Sequence, residues 1–268
     1  MRCLYVVIIV IIVISILCYC GNKSNYSNKN KIENNIFQTH KDKSIIKMGI
    51  DESYKKLRKQ NPEFNYYFFS DEDMDDYMNN IPDKELSEAY KRVKHRVAKS
   101  DIWRIAILYE KGGVYVDMDS VPTIPLSKLI KPDDEFIKGV EWTVPDGPDP
   151  QHIIFSRSGH PVLERTIHHI KQAVLYNNPS NHIGPYREGI HWRKLESYTG
   201  TPCMWRALED ILGHYSLRPG NYKYGIRLIP GYNHGWTFHH QKGYKNLLRR
   251  NGIKHWMEDG VSKNQIIF

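Results

Sequence analysis

Asp117 and Asp119 carry the clearest chemical meaning in the chain, standing one residue apart at the end of the apolar run Val114-Tyr115-Val116. Two carboxylates that close repel each other, and a divalent cation, a hard ion that prefers oxygen ligands and also binds phosphate, relieves them. The pair points to metal-dependent chemistry on a phosphorylated substrate. Asp101 and Arg104 lie three apart on the preceding apolar segment, a spacing that puts both on one side of a helix. They form either an internal ion pair or a grip on a polar ligand at the strand end, and their nearness in sequence to the acid pair favours the grip.

Two reaction classes use an Asp-x-Asp after a hydrophobic strand. In aspartyl-phosphate phosphatases the first acid is the nucleophile. Those enzymes place the motif on the first strand of the domain, whereas two strands and several helices precede Val114 here. They also need a later acidic cluster at a strand end, and Asp133-Asp134 and Glu258-Asp259 fit that poorly. In nucleotide-sugar transfer, Mn2+ or Mg2+ bridges the acids and a diphosphate and neutralises the leaving group. A third reading, from another class, is a membrane-tethered sugar-nucleotide-binding protein whose catalysis has decayed.

The elements that must position these residues alternate between strand and helix. Asn35 to Thr39 reads as a first strand and Phe64 to Phe69 as a second. Ser70 is a helix N-cap with Asp71, Glu72 and Asp73 in the first turn. Ala98 to Lys111 is a helix apolar nearly all round, hence buried, and Gly112-Gly113 stops it before the strand that carries the acids. Further strands are expected at Phe136 to Trp142, His152 to Phe155 and Gly225 to Ile229, with helices at Pro161 to Tyr176 and Thr201 to His214. This is the pattern of an α/β domain with a mostly parallel sheet, which binds ligands at the carboxyl ends of its strands.

Composition sets the surroundings. A chain of 268 residues, 40% hydrophobic, buries one sizeable core, so a single catalytic domain over 35–268 is expected. Residues 1–20 are apolar almost throughout and long enough to cross a bilayer, which predicts a retained signal anchor, a type II single-pass topology and a Golgi or other secretory-lumen location. Residues 21–34, rich in Asn, Lys and Ser, read as a disordered stem. Three of the 4 Cys lie in or beside the apolar run, which leaves Cys203 alone in the folded part and excludes a disulfide framework there. The net charge of +8 gathers most densely at Lys91-Arg92-Val93-Lys94-His95-Arg96 and Lys99. That cluster reads as a solvated helix face, with attraction of a nucleotide diphosphate or anionic headgroups as a second reading, and no nucleic-acid partner is expected.

The block from Ser100 to Asp119 closely resembles the core of the Asp-x-Asp sugar-binding glycosyltransferases, the family 32-like group with yeast-type α-1,6-mannosyltransferases and inositol phosphoceramide mannosyltransferases. Ile36 to Lys41 is similar to that family's opening strand, and Asn61 to Phe64 with Asp71 to Asp73 to its second. Ser158-Gly159-His160-Pro161 and Tyr198 to Pro202 match shorter family segments. His239-His240-Gln241-Lys242-Gly243-Tyr244-Lys245 resembles a C-terminal His-x-x-Gly-Ser-Trp element, with Tyr244 at the Ser position and no Trp.

The resemblance implies a GT-A-type fold and retaining transfer of a hexose, mannose ahead of galactose or glucose, from a GDP- or UDP-hexose to a glycan or glycolipid. It implies that Asp119 binds the metal directly and that Asp117 contacts its water shell or the ribose. Asp101 and Arg104 would hold the sugar hydroxyls, Gln38, Thr39 and His40 would line the nucleotide side with His40 where relatives stack a Trp on the base, and His239 or His240 would approach the metal.

Overall fold

A computed structural model describes residues 31–41, 43–47, 52–140, 151–178, 198–213, 222–223, 225–230, 238–240 and 243–253. The predicted anchor at 1–20 lies outside them, and no helix among the described residues is long and apolar enough to cross a membrane. The compact unit begins at Ile32, inside the stretch read as stem. Ile32 is buried, and the Glu33 carboxylate accepts from the backbone N and the hydroxyl of Ser158.

The strands β1 (Asn35–Thr39), β2 (Asn65–Phe69), β3 (Gly113–Val116), β5 (Phe136–Val140), β6 (Ile153–Ser156), β7 (Tyr222–Lys223) and β8 (Ile226–Pro230) form one sheet in the order β2-β1-β3-β6-β5-β8-β7. The short strands β4 (Ser120–Pro122) and β9 (Phe238–His240) pair apart from it. β1 runs parallel to β2 and β3, and β5 to β8, but β6 is antiparallel to both β3 and β5, and β7 to β8. The sheet is therefore mixed in equal parts rather than mostly parallel. Twelve residues, 141–152, separate β5 from β6, near the shortest length for a crossover to a parallel neighbour, and the two strands pair antiparallel.

The described helices are α1 (Ser44–Lys47), α2 (Glu52–Gln60), α3 (Asp71–Asn80), α4 (Lys84–Arg92), α5 (Arg96–Lys111), α6 (Leu126–Leu129), α7 (Pro161–Tyr176), α8 (Thr201–Leu212) and α9 (Tyr244–Arg250). Ser70 caps α3 as expected, in a reciprocal box in which its hydroxyl accepts from Asp73 N while the Asp73 carboxylate accepts from Ser70 N. At the head of α7 the side chain of His160 is the cap: its Nδ1 accepts from Val162 N, with Pro161 in the first turn. The His-Pro turn legible in the sequence is thus a helix start built from an imidazole.

Alternation along the strands sorts the core into two faces. Phe37, Tyr115, Phe136, Ile154 and Leu228 pack with α5 and α7, while Ile36, Val114, Val116, Ile137 and Phe155 pack with Leu57 of α2 and with Leu126 and Leu129 of α6. Trp103 of α5 is fully buried, with Phe69 and Tyr115 at ring distances of 4.8 and 6.2 Å. Each such aromatic pair adds about 0.5–1.5 kcal/mol beyond the area it buries. This fixes α5 on the sheet and, with it, the two polar residues one helical turn apart that face the strand end.

The Gly-Gly break works by closeness as well as by flexibility. Gly112 and Gly113 have φ of 59° and 124°, and a Cβ on Gly113 would lie 2.5 Å from the carbonyl oxygen of Asn35. Only glycine lets α5 turn directly into a strand laid against the start of β1.

Candidate active site

The acid pair does not sit on the strand itself. β3 ends at Val116, Asp117 N donates to the carbonyl of His152 at 2.7 Å, and Ser120 N donates to the carbonyl of Asp117 at 2.9 Å. Asp117-Met118-Asp119-Ser120 is a tight turn closed by that last bond. Met118 at its centre is buried against Ile45 of α1 and against Tyr244 and Leu248 of α9, so the residue between the two acids anchors the turn while the acids flank it.

Arg104 gathers the site. Its Nε donates to the Ser100 carbonyl at 3.3 Å, Nη1 to the Gln151 carbonyl at 2.8 Å and Nη2 to the Ser100 hydroxyl at 3.2 Å. Nη2 also lies 3.2 Å from Asp101 Oδ1 and 3.7 Å from Asp117 Oδ1. The guanidinium carbon stands 4.4 Å from the centroid of the Tyr115 ring, a cation–π contact, and the Tyr115 hydroxyl donates to Asp117 Oδ1. Asp101 and Arg104 are thus an internal ion pair, and through Arg104 that pair reaches Asp117 of the acid turn.

The electrostatics follow from this crowding. Burial pushes the Asp101 carboxyl up to about 6, a rise that Arg104 opposes and Asp117 reinforces. Asp119 is also pushed well up, first by burial and then by the neighbouring Asp117 charge, with Lys245 and Arg104 acting the other way. A carboxyl whose proton affinity is raised by burial and by a neighbouring carboxylate, as that of Asp119 is, forms with that neighbour a place that favours a divalent cation. The carboxylates fit such an ion in chemistry and in charge. Among the described residues no third His, Cys, Asp or Glu joins them.

His239 and His240 are expected to supply that ligand, and the strand holding them is brought to the acids. β9 pairs antiparallel with β4, His240 opposite Ser120 and His239 opposite Val121. The register sets the backbone of His240 beside the residue that follows Asp119; the side chains of both histidines lie outside the described residues.

The nucleotide-side expectations divide. Gln38 is fully buried; its Nε2 donates to the Asp117 carbonyl at 3.4 Å and its Oε1 accepts from the Tyr66 hydroxyl at 2.7 Å. It buttresses the acid turn. Thr39 spends its hydroxyl on the Phe69 carbonyl at 2.8 Å, which ties β1 to β2. His40 follows at the carboxyl end of β1, its N–H bonded to the Phe69 carbonyl. The basic cluster is largely neutralised: Arg96 pairs with Asp75 at 2.7 Å, Lys99 with the same Asp75 at 3.3 Å and Arg92 with Glu88 at 3.0 Å. These cations dock α5 on α3 and cover the surface of α4, as a solvated helix face does.

The structure adds residues that the sequence reading passed over. Thr199 donates its hydroxyl to Asp101 Oδ2 at 3.4 Å, and Tyr198 beside it bonds Asn177 at the end of α7. The Thr-Gly segment after Tyr198 was a signal for the first of these. Gln151 and Tyr115 carried none, because an amide in a Pro-rich stretch and a tyrosine in a buried strand are ordinary in sequence.

Residues 49–137 match the family model described as a glycosyltransferase sugar-binding region containing a DXD motif. Over 224 residues the chain is 28% identical to the initiation-specific alpha-1,6-mannosyltransferase of Candida albicans, covering 70% of this chain and 56% of that protein. Over 199 residues it is 25% identical to inositol phosphoceramide mannosyltransferase 3 of Schizosaccharomyces pombe, covering 71% and 54%. The chain spans about half the length of the curated relatives it matches. Among solved structures the PaToxG glycosyltransferase overlaps 73% of this chain and 77% of its own, at 16% identity and a TM-score of 0.47. The match spans α5, β3 and the acid turn, so the residues that build this site are the ones similar to a glycosyltransferase sugar-binding region containing a DXD motif.

Proposed function

We propose that this chain is a membrane-anchored, divalent-metal-dependent hexosyltransferase of GT-A type that moves a hexose from a GDP- or UDP-hexose to a glycan or glycolipid with retention of anomeric configuration. Mannose is the favoured sugar, since the similar fungal proteins are named mannosyltransferases. The signal anchor read at 1–20 places the domain in a secretory-pathway lumen, in Golgi or its equivalent.

One observation supports the chemistry above all: a single guanidinium, Arg104, spans Asp101 and Asp117 immediately beside Asp119. Asp117 and Asp119, with His239 or His240 of β9, would hold the cation, and when bound it would supply charge neutralisation for the diphosphate. The carboxylate of Asp101, held by Arg104 and Thr199, accepts hydrogen bonds from hydroxyls of the sugar and fixes its orientation. Arg104 meanwhile stands between the carboxylates of Asp101 and Asp117 and offsets their charge. In the transfer the bond from the anomeric carbon to the phosphate oxygen breaks, its electron pair leaving on the diphosphate. The acceptor hydroxyl oxygen bonds to that carbon and gives its proton to the departing diphosphate oxygen. A site of fixed charges lowers the barrier because its dipoles need no reorganisation as charge moves onto the leaving group.

The test is release of nucleoside diphosphate from a panel of GDP- and UDP-hexoses, with and without chelator. The native chain should turn over at least one donor only when Mn2+ or Mg2+ is present, and Asp119→Asn should abolish that turnover. Turnover that ignores chelation, or survives Asp119→Asn, contradicts the reading. Hydrolysis of a phosphomonoester with indifference to all the nucleotide sugars would favour the phosphatase instead.

A further inference from the structure

Between α7 and α8 lies a cavity of about 240 Å3 that the acid turn does not use, lined by His168, His169, Gln172, Asn178 and Arg206. His169 and Gln172 stand one helical turn apart on α7, and Arg206 reaches the same space from α8. Asn178 lies just past the left-handed cap Asn177, its N donating to the Gln172 carbonyl at 3.2 Å. Ile170 and Ala173 of α7 share one core with Met204 and Leu208 of α8, so the walls of the cavity are fixed.

The charges around it do not balance. Asp210, one turn beyond Arg206 on α8, is taken from α7 by two groups at once: Arg165 Nε stands 3.1 Å and His169 Nε2 2.8 Å from its Oδ2. Glu209 accepts from Trp205 Nε1 at 3.1 Å. Arg206, half-buried, makes no ion pair and no hydrogen bond among the described residues. Burial pulls the His169 imidazole below its usual range; Asp210 opposes that, and the charge of Arg206 adds to it.

A guanidinium carries five donors and no acceptor, so a half-buried one with no acid beside it is matched by an anion. The shape of the cavity says which anion. Donors line it from both helices and from the turn after α7. A planar carboxylate is satisfied by the guanidinium fork alone, whereas a phosphate has oxygens for donors arriving from several directions. Volume sets the size: pockets for drug-sized ligands run roughly 300–1,000 Å3, so this smaller one takes a single group or one end of a larger molecule.

We propose that the cavity between α7 and α8 is a phosphate-binding site, in which Arg206 forms the ion pair and His168, Gln172 and Asn178 add hydrogen bonds. The phosphate is free or is the anionic end of an acceptor. The second source rests on the reading of the chain as a transferase. Thr199, which bonds Asp101, stands just before α8, and Arg206 lies about 10 Å further on at 1.5 Å of rise per residue. Cys203, between them on α8, feels both charges: burial and Asp101 push its thiol up to about 12, and Arg206 acts the other way. A phosphate held there is near enough to be the far end of a molecule whose hydroxyl meets the sugar beside Asp101.

The experiment uses the full chain in chelator, so that no divalent ion at the acid turn takes up phosphate. Inorganic phosphate and glycerol 3-phosphate are titrated by calorimetry, and the histidine ring resonances are followed by NMR. The native chain should bind phosphate, and the titration of His169 should move to higher pH because the bound anion offsets Arg206. Arg206→Gln should bind about ten-fold more weakly or worse, and Arg206→Lys, which keeps the charge, should lose less. Both variants should melt with the native chain and bind nucleoside diphosphate with Mn2+ as it does. Glycerol 3-phosphate bound more tightly than inorganic phosphate supports the site with a phosphate carried on a larger molecule, and equal affinity supports it with free phosphate. No binding, or binding that Arg206→Gln leaves unchanged, overturns the proposal. So does a fall in melting temperature in both variants together with loss of phosphate, since the guanidinium would then be structural. Phosphate bound by a native chain that takes no nucleoside diphosphate with Mn2+ keeps the phosphate site and removes the acceptor along with the transferase reading.

Discussion

Nη2 of Arg104 lies 3.2 Å from Oδ1 of Asp101, one helical turn away on α5, and both side chains are almost wholly shielded from water, at 7% and 10% exposure. A carboxylate so placed is tolerable because the guanidinium is there. Arg104→Met therefore leaves a buried charge uncompensated and should cost about 3–5 kcal/mol in chemical denaturation at neutral pH. Adding Asp101→Asn to that variant should restore much of the loss, a coupling that a double-mutant cycle reads directly. Additive losses would show that the two residues act independently.

The Gly-Gly turn gives a sharper steric prediction. Gly113→Ala must place its Cβ 2.5 Å from the Asn35 carbonyl oxygen, at a φ that side chains rarely adopt. Backbone cannot yield there without opening β1 from β3. A loss of about 3 kcal/mol or more is expected in the same denaturation assay, with donor binding falling as the acid turn shifts. A variant as stable as the native chain would mean that this junction is looser than its geometry.

His160 makes stability depend on pH. Its imidazole is buried, stacks on Phe136 and caps α7 through an unprotonated Nδ1, and burial, with Arg157 adding to it, pulls the ring down to about 3 from its usual 6.5. The unfolded chain binds the proton more readily between those values. The contribution is therefore whole above pH 6.5 and lost progressively as pH falls toward 3. Between pH 6.5 and 5 it amounts to about 2 kcal/mol, from 1.36 kcal/mol per unit. His160→Asn keeps a side chain able to cap and removes the titration, so its stability between pH 5 and 7 should vary less than that of the native chain by about that amount. Parallel profiles for the two proteins would rule His160 out as the source.

The sequence made some of this legible for local reasons. β1, α5, β3 and α7 are strongly patterned and bounded by Ser, Gly or Pro, and the first strand and α7 fall on the expected residues, Asn35–Thr39 and Pro161–Tyr176. The direction of β6 was not legible, because a strand of four apolar residues, Ile153–Ser156, reads the same whichever way it runs. Nor was the division of labour among the site residues. Gln38, expected on the nucleotide side from its place in the opening strand, bonds Tyr66 and the Asp117 carbonyl, partners 28 and 79 residues away that only the assembled sheet brings near. The acids follow the strand as expected, but the turn that holds them, closed by the bond from Ser120 N to the Asp117 carbonyl, has no signal in the sequence.

Tyr115 tests how much the acid turn needs its support. Its hydroxyl donates to Asp117, and its ring lies under Arg104. Tyr115→Phe keeps the ring and its cation–π contact and deletes only the hydrogen bond, so stability should fall by about 1–2 kcal/mol. Freed of that bond, the Asp117 carboxylate is less firmly oriented in the turn. The Mn2+ concentration giving half-maximal donor turnover should therefore rise. An unchanged metal requirement would make the hydroxyl a structural group only.

Tyr244 explains a departure that the sequence alone left unaccounted for. At this position, where the sequence departs from the C-terminal element it resembles, the chain has a buried aromatic packed with Met118, Ile45 and Leu248, so the ring pins α9 to the residue between the two acids. Tyr244→Ser would empty that contact, and loss of a buried aromatic side chain costs about 3–5 kcal/mol. Because α9 makes its described apolar contacts through this one cluster, the damage should be local. Protease should cleave the variant around α9 under conditions where the sheet and α5 stay intact, and affinity for Mn2+ should drop with it. If cleavage instead begins elsewhere in the chain, α9 is not held by Tyr244, and the turn of Asp117 and Asp119 must draw its rigidity from β4 and Gln38.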